Sequence, residues 1–434
     1  MKQLYYALLN ILRGRNSTII KIVSLTLGLF MAILLFAKIA FELSYDNFYT
    51  DADRLYAVQT AWTTDKGKNA FSVYNIHPTA ETIARHFPEE VESFTTTFSF
   101  GPRYLMHGAD KVYAQIIYGD SLYFQTLGLP LLNGNGQDLA TPGVVFLSES
   151  LAREVFGSEN PIGKTLACPS PKGEYPLIVR GLFADFPDNT VMTRAQAIIS
   201  FSSIAQYTGT RLGWTSGGNF EAYVRLRPNA DADAINRRLE AVIPNYFPID
   251  HYGRYGSTGI DVMITSLRTL HLQDSEVQKM LRILSLLGFV LLLTAALNYA
   301  LISVSSLSRR AKAVGVHKCN GAGTGSVMGM FLWETAIVVG ISVLAVVYLI
   351  FSFREQVEEL TQVPLESLFQ GQNLWAPLAV VALLFVIGGL LPGRIFSTIP
   401  VTQVFRRYTE GKKRWKYPLL FVQFGGSAFL VGLL

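Results

Sequence analysis

Four stretches of the chain, residues 19–41, 283–304, 327–351 and 374–395, are apolar and almost free of charge. Each is long enough to cross a hydrocarbon core about 30 Å thick at about 1.5 Å per residue. Lipid offers no hydrogen bonds, so a crossing segment must satisfy its own backbone, and a single segment can do that only as a helix. A fifth apolar stretch occupies residues 417–434. The chain has 434 residues, 50% of them hydrophobic and only 16% charged, which fits an α-helical membrane bundle and not a soluble protein of this length.

Lys and Arg in short loops mark the cytoplasmic side. They occur as Lys2, Arg13 and Arg15 before the first span, as Arg309, Arg310, Lys312 and Lys318 between the second and third, and as Arg394, Arg406, Arg407, Lys412, Lys413, Arg414 and Lys416 around and after the end of the fourth. The short loop 352–373 carries Glu355, Glu358, Glu359 and Glu366 against Arg354, and so lies outside. Residues 42–282 then lie outside as well. The leader 1–18 places Leu4, Leu8, Leu9, Ile11 and Leu12 at helical spacing beside basic residues, which predicts an interfacial helix on the cytoplasmic surface. A polar leader followed by a full-length span reads as a retained anchor and not as a cleaved signal peptide.

The outer segment mixes strand-like runs, at 55–61, 91–100, 111–118, 175–183 and 221–226, with helical periodicity at 78–86, 148–156 and 230–246. It is expected to be one α+β extracytoplasmic domain of two lobes. Residues 100–220 should form one lobe, inserted into another built from the flanking strands and the 230–246 helix.

No catalytic constellation is visible. HExxH and G-x-S-x-G are both missing, and the six histidines stand without ligand spacing. SENPIGKT, residues 158–165, resembles a phosphate-binding loop, but its first glycine position is Ser158 and it faces outward, so it reads as a turn entering a strand. Cys168 and Cys319 fall on opposite sides of the membrane and cannot pair. The net charge of +5 belongs to membrane-flanking residues and not to a basic face interleaved with aromatics, which excludes nucleic acid as a partner.

Two places carry candidate functional residues. In the cytoplasmic loop 305–326, Arg310, Lys312, Gly315, His317, Lys318, Gly321 and Ala322 combine positive charge with small residues, a surface that a docking partner can approach closely. They are expected on its exposed face. Inside the bundle, Glu334 stands about seven residues into the third span, roughly 10 Å deep, and Asn298 about six residues from the cytoplasmic end of the second, roughly 9 Å deep. A carboxylate at that depth needs an interior partner. Asn298, or a hydroxyl such as Ser303 or Ser305, is the expected donor, with snorkelling to the headgroups as the alternative.

LNYALISVSSLSRRAKAVGVHKCNGAG, residues 297–323, and FLWET, 331–335, resemble the second helix, cytoplasmic loop and third helix of the FtsX-like and MacB-like permeases of bacterial ABC transporters. FELSYDNFYTDADRLYAV (41–58), GDSLYFQTLGLPLLNGN (119–135), VVFLSESLAREVFGSENPIGKTL (144–166) and VRGLFADFPDNT (179–190) are similar, in order, to pieces of the MacB-like periplasmic core domain. The resemblance implies a multi-pass protein of the bacterial cytoplasmic (inner) membrane. It implies a permease without enzymatic activity or bound cofactor of its own, driven by ATP through a separate cytoplasmic ATPase dimer that docks on the loop. It also implies mechanotransmission to the outer domain, for export or envelope work on an unspecified periplasmic partner or substrate. The basic linker 396–416 and the stretch 417–434 resemble the start of a second permease half, as in eight-helix members; a homo- or heterodimer is the other arrangement. Ala313 and His317 stand where family loops usually carry a glutamate and an arginine. A membrane-anchored sensor or assembly protein without ATPase coupling is the alternative reading.

Overall fold

The computed structural model describes residues 15–170, 173–305, 315–316, 318–397, 421 and 424–425. They divide into two compact units, 45–275 and a second made of the segments on either side.

The outer unit is built on one sheet. Among the described residues its strands are β1 (Leu55–Thr64), β2 (Gly67–Lys68), β3 (Tyr74–Asn75), β4 (Val91–His107), β5 (Asp110–Gly119), β6 (Leu131–Asn133), β7 (Val144–Ser148), β8 (Thr165–Ser170), β9 (Gly173–Phe183), β10 (Ala197–Ser200), β11 (Phe220–Leu226) and β12 (Ser257–Ser266). The main path runs β12-β1-β11-β4-β5-β10-β7-β9-β6. β1 lies antiparallel between β11 and β12, so the two flanks of the sequence pair directly. β7 and β9 are parallel, which requires a crossover; it runs through helix α1 (Glu149–Phe156), capped by Ser148 Oγ accepting from the Leu151 amide. Helix α2 (Ala232–Val242) starts where Asp231 accepts from the amides of Asp233 and Ala234.

Among the described residues three cores sit on this sheet, and one of them, with Leu55, Tyr123, Phe146, Ile198 and Tyr223, draws on both the flanks and the insert. Val58, Ile83, Val224, Leu239 and Ile264 centre the lobe formed by the flanks. Leu105, Val145, Leu151, Leu177 and Ile199 centre the inserted lobe. β4 is the shared element. Its first part pairs with β11, and past a bulge between Ser99 and Pro102 it continues alongside β5 to His107, beyond the expected end at Phe100. β7 and β10 escape an alternation test because every residue in them is buried, as on a sheet covered on both faces. SENPIGKT forms a turn with Gly163 at φ +83° and enters β8 at Thr165.

The membrane unit contains M1 (Arg15–Leu43), M2 (Ser275–Ser305), M3 (Thr324–Ser352) and a fourth helix, M4, in three parts: Trp375–Phe385, a π-helical turn at Val386–Leu390, and Leu391–Ser397. M2 starts well before the expected residue 283, because Glu276, Lys279 and Arg282 lie outside the apolar stretch yet continue the helix, Lys279 donating to Glu276 at 2.7 Å. The π-turn has a cause in the sequence. Pro392 has no N–H, and its ring conflicts with the carbonyl of the residue four earlier, Gly388, in a stretch already weakened by Gly388 and Gly389. Outside the bundle, helix α3 (Arg354–Thr361) follows M3, with Arg354 donating to Glu358 at 3.0 Å and to Glu366 at 2.6 Å.

Candidate functional site

Glu334 faces the bundle interior, only 4% exposed. Its partner is Lys21 of M1, 1% exposed, whose Nζ lies 3.2 Å from Oε1. The expected donor, Asn298, instead donates to Ser24 Oγ of M1 at 2.5 Å. Reading residues 19–41 as one apolar stretch passes over Lys21. Yet an ammonium near the cytoplasmic end of M1 and a carboxylate near the cytoplasmic end of M3 are opposite charges at comparable depth, and that signal was available.

A second polar pair adjoins the first. Tyr299 of M2 donates its hydroxyl to Thr335 Oγ1 of M3 at 3.1 Å, and Lys21 Nζ stands 5.5 Å from the Tyr299 ring centroid. The π-turn of M4 closes over this pair. A Cβ on Gly388 would come within 2.9 Å of Tyr299, and one on Gly389 within 3.3 Å of Thr335 and Leu332. All four helices thus meet at one polar layer.

The cytoplasmic loop is described in part; Arg310, Lys312 and His317 lie outside the described residues. Gly315 is buried, contrary to the exposed position expected. Gly321 is exposed at φ +85°, a turn conformation that favours glycine, and Ala322 is half-buried. Lys318 Nζ donates to the Ser397 carbonyl at the end of M4, at 2.8 Å.

The outer unit has its own polar root, where the chain enters and leaves it. Tyr45 follows M1 and His271 precedes M2, and the two rings stack at 3.6 Å. Beside them Asp46 is fully buried, at φ 57°. It accepts from Thr190 Oγ1 at 2.5 Å and from the Val191 amide at 3.2 Å. Burial pushes its pKa up to about 6, against the lowering effect of those two hydrogen bonds and of nearby His271. Asp46 ties the first residues of the domain to the segment between β9 and β10.

Residues 18–242 match the MacB-like periplasmic core domain, and residues 285–401 match the FtsX-like permease C-terminal family. The chain belongs to the MacB-like and FtsX-like permeases of ABC transporters. No curated protein matches it. Three solved structures are similar over about half of this chain. One is a domain from Porphyromonas gingivalis described as belonging to a permease protein (20% identity, 50% of this chain and 91% of that one, TM-score 0.42). The periplasmic region of MacB from Actinobacillus actinomycetemcomitans follows (18% identity, 50% and 93%, TM-score 0.36). The third is the extracellular domain of the noncanonic ABC-type transporter YknZ from Gram-positive bacteria (12% identity, 48% and 99%, TM-score 0.32).

In this permease the buried ion pair joins the two matched regions, since Lys21 lies in the first and Glu334 in the second. The permease is a membrane protein with a large extracytoplasmic α+β domain, and members of its family work with cytoplasmic ABC ATPases.

Proposed function

We propose that this chain is the permease subunit of a mechanotransmission-type exporter in the bacterial inner membrane. It would convert the cycle of a separate cytoplasmic ATPase dimer into motion of the outer domain, for export or envelope work. ATP then belongs to the partner subunit, and this chain binds no cofactor. A second permease half, or a second copy of the chain, completes the bundle.

The observation that carries this reading is the root of the outer domain. The domain is inserted between M1 and M2, and the stacked rings of Tyr45 and His271 draw its two ends together. Any change in the spacing of those helix ends therefore acts on one small polar cluster, and Asp46 passes it to the segment 189–192. On the cytoplasmic side, the loop holding Arg310, Lys312, Gly315, His317, Lys318, Gly321 and Ala322 is the docking element. The test is purification of the full chain in mild detergent with mass-spectrometric identification of what accompanies it. An ABC-type ATP-binding subunit should co-purify with the wild type. The charge reversals Arg310→Glu and Lys318→Glu should deplete it while membrane insertion is unchanged. Equal recovery from wild type and variants would reduce the loop to a topology determinant.

A further inference from the structure

We infer that M4 is the moving helix of the bundle, that M1 and M3 form the fixed body it moves against, and that the π-turn at Val386–Leu390 is where it yields. What drives the motion rests on the coupling role proposed above; where it happens rests on the geometry of the bundle alone.

M1 and M3 are pinned in register. Lys21 and Glu334 meet at 3.2 Å with almost no exposure, and Ser342 Oγ of M3 donates to the Ile22 carbonyl of M1 at 3.4 Å. A slide of one helix on the other would separate two charges in an apolar interior, which is strongly disfavoured; buried pairs of this kind are best attested as register devices. M4 touches the same layer differently. It presents the bare backbone of Gly388 and Gly389 to Tyr299 and Thr335, so no side chain of those residues interlocks with the fixed body. The π-turn adds one residue to the helical turn. It can therefore shift along the helix by exchanging single backbone hydrogen bonds, without unwinding the helix. Pro392 keeps that turn from closing into regular α-helix.

The cytoplasmic loop is attached to the moving side. Lys318 donates to the Ser397 carbonyl at 2.8 Å, in the same short helical piece, Leu391–Ser397, that follows the π-turn. A displacement of the loop therefore reaches M4 below the π-turn first. The neutral Tyr299–Thr335 pair, 3.1 Å long, lies directly under the yielding turn and can change partners without stranding a charge.

The test is residue-resolved hydrogen–deuterium exchange on the full chain in phospholipid nanodiscs, without any ATPase present. Amides of residues 386–390 should exchange about tenfold faster than those of M3 around Glu334. Pro392→Ala restores the missing donor and should bring them down to the M3 level. Lys318→Met should speed exchange in residues 391–397 about threefold and leave M3 unchanged, which a merely structural loop contact would not do so selectively. The double variant Lys21→Met with Glu334→Leu removes the charges together; it should speed exchange in M1 and M3 while 386–390 remain fast. Protection at 386–390 equal to that of M3 in the wild type, or no response of 391–397 to Lys318→Met, overturns the inference. Absence of a co-purifying ATPase would overturn only the driving role.

Discussion

Asp46 shows how a single residue reports on the root of the outer domain. Its folded pKa of about 6 lies above the ordinary 3.8, so its contribution to stability is fully present below about pH 4 and is lost as pH rises through about 6. At 1.36 kcal/mol per unit the change amounts to roughly 3 kcal/mol. The melting temperature of the outer domain should therefore fall between about pH 4 and pH 6 and level off above, and Asp46→Asn should flatten that slope. Asn tolerates the left-handed backbone at this position and can still accept one hydrogen bond. Burial also raises the Asp120 pKa, despite hydrogen bonds from Thr95, Thr96 and Leu122, so part of the slope will persist in the variant. An unchanged pH profile would show that Asp46 is not the group responsible. None of this is legible in the sequence. Asp46 looks like any polar residue after a helix, and its burial depends on Thr190 and Val191, far along the chain.

At the scale of elements, the membrane helices were legible and their connections were not. Long apolar stretches announce themselves through length and composition alone, whereas the partner of Glu334 depends on how M1 and M3 face each other. The pair itself gives a sharp expectation. Lys21→Met or Glu334→Leu alone leaves a buried charge and should cost about 3–5 kcal/mol, while the double variant should recover much of it; a thermal-melt double-mutant cycle measures the coupling. Additive losses would contradict the pairing. In the outer domain, β1, β5, β9 and β11 betray themselves by β-branched and aromatic runs, whereas β7 and β10 are uniformly buried and give no period. β12 did alternate, with Ile260, Val262 and Ile264 inward, and could have been found. Packing between β7 and β9 is equally invisible before folding. A Cβ on Gly181 would fall 2.0 Å from the Phe146 ring, so Gly181→Ala should destabilise the outer domain by about 2–3 kcal/mol, a drop of roughly 4–12 °C in melting temperature. Wild-type melting in that variant would mean the two strands are not so closely opposed.

For the whole molecule, the sequence already carried the order of parts: an anchor helix, an inserted outer domain, a basic cytoplasmic loop between two helices, and a fourth span. The sequence order cannot reveal that one polar layer joins all four helices, or that the loop is tied through Lys318 to the end of M4. The central claim is that the work of a cytoplasmic ATPase reaches the outer domain through these connections. The most direct measurement places spin labels on the exposed positions Tyr113 and Tyr255, one in each lobe, with Cys319 replaced by serine, and reads their separation in nanodiscs with the ATPase bound. Trapping the ATPase with ATP and vanadate should shift the distance distribution relative to the nucleotide-free state, and Lys318→Glu should abolish the shift. Identical distributions in the two states, recorded while the bound ATPase is shown to hydrolyse ATP, would contradict the account.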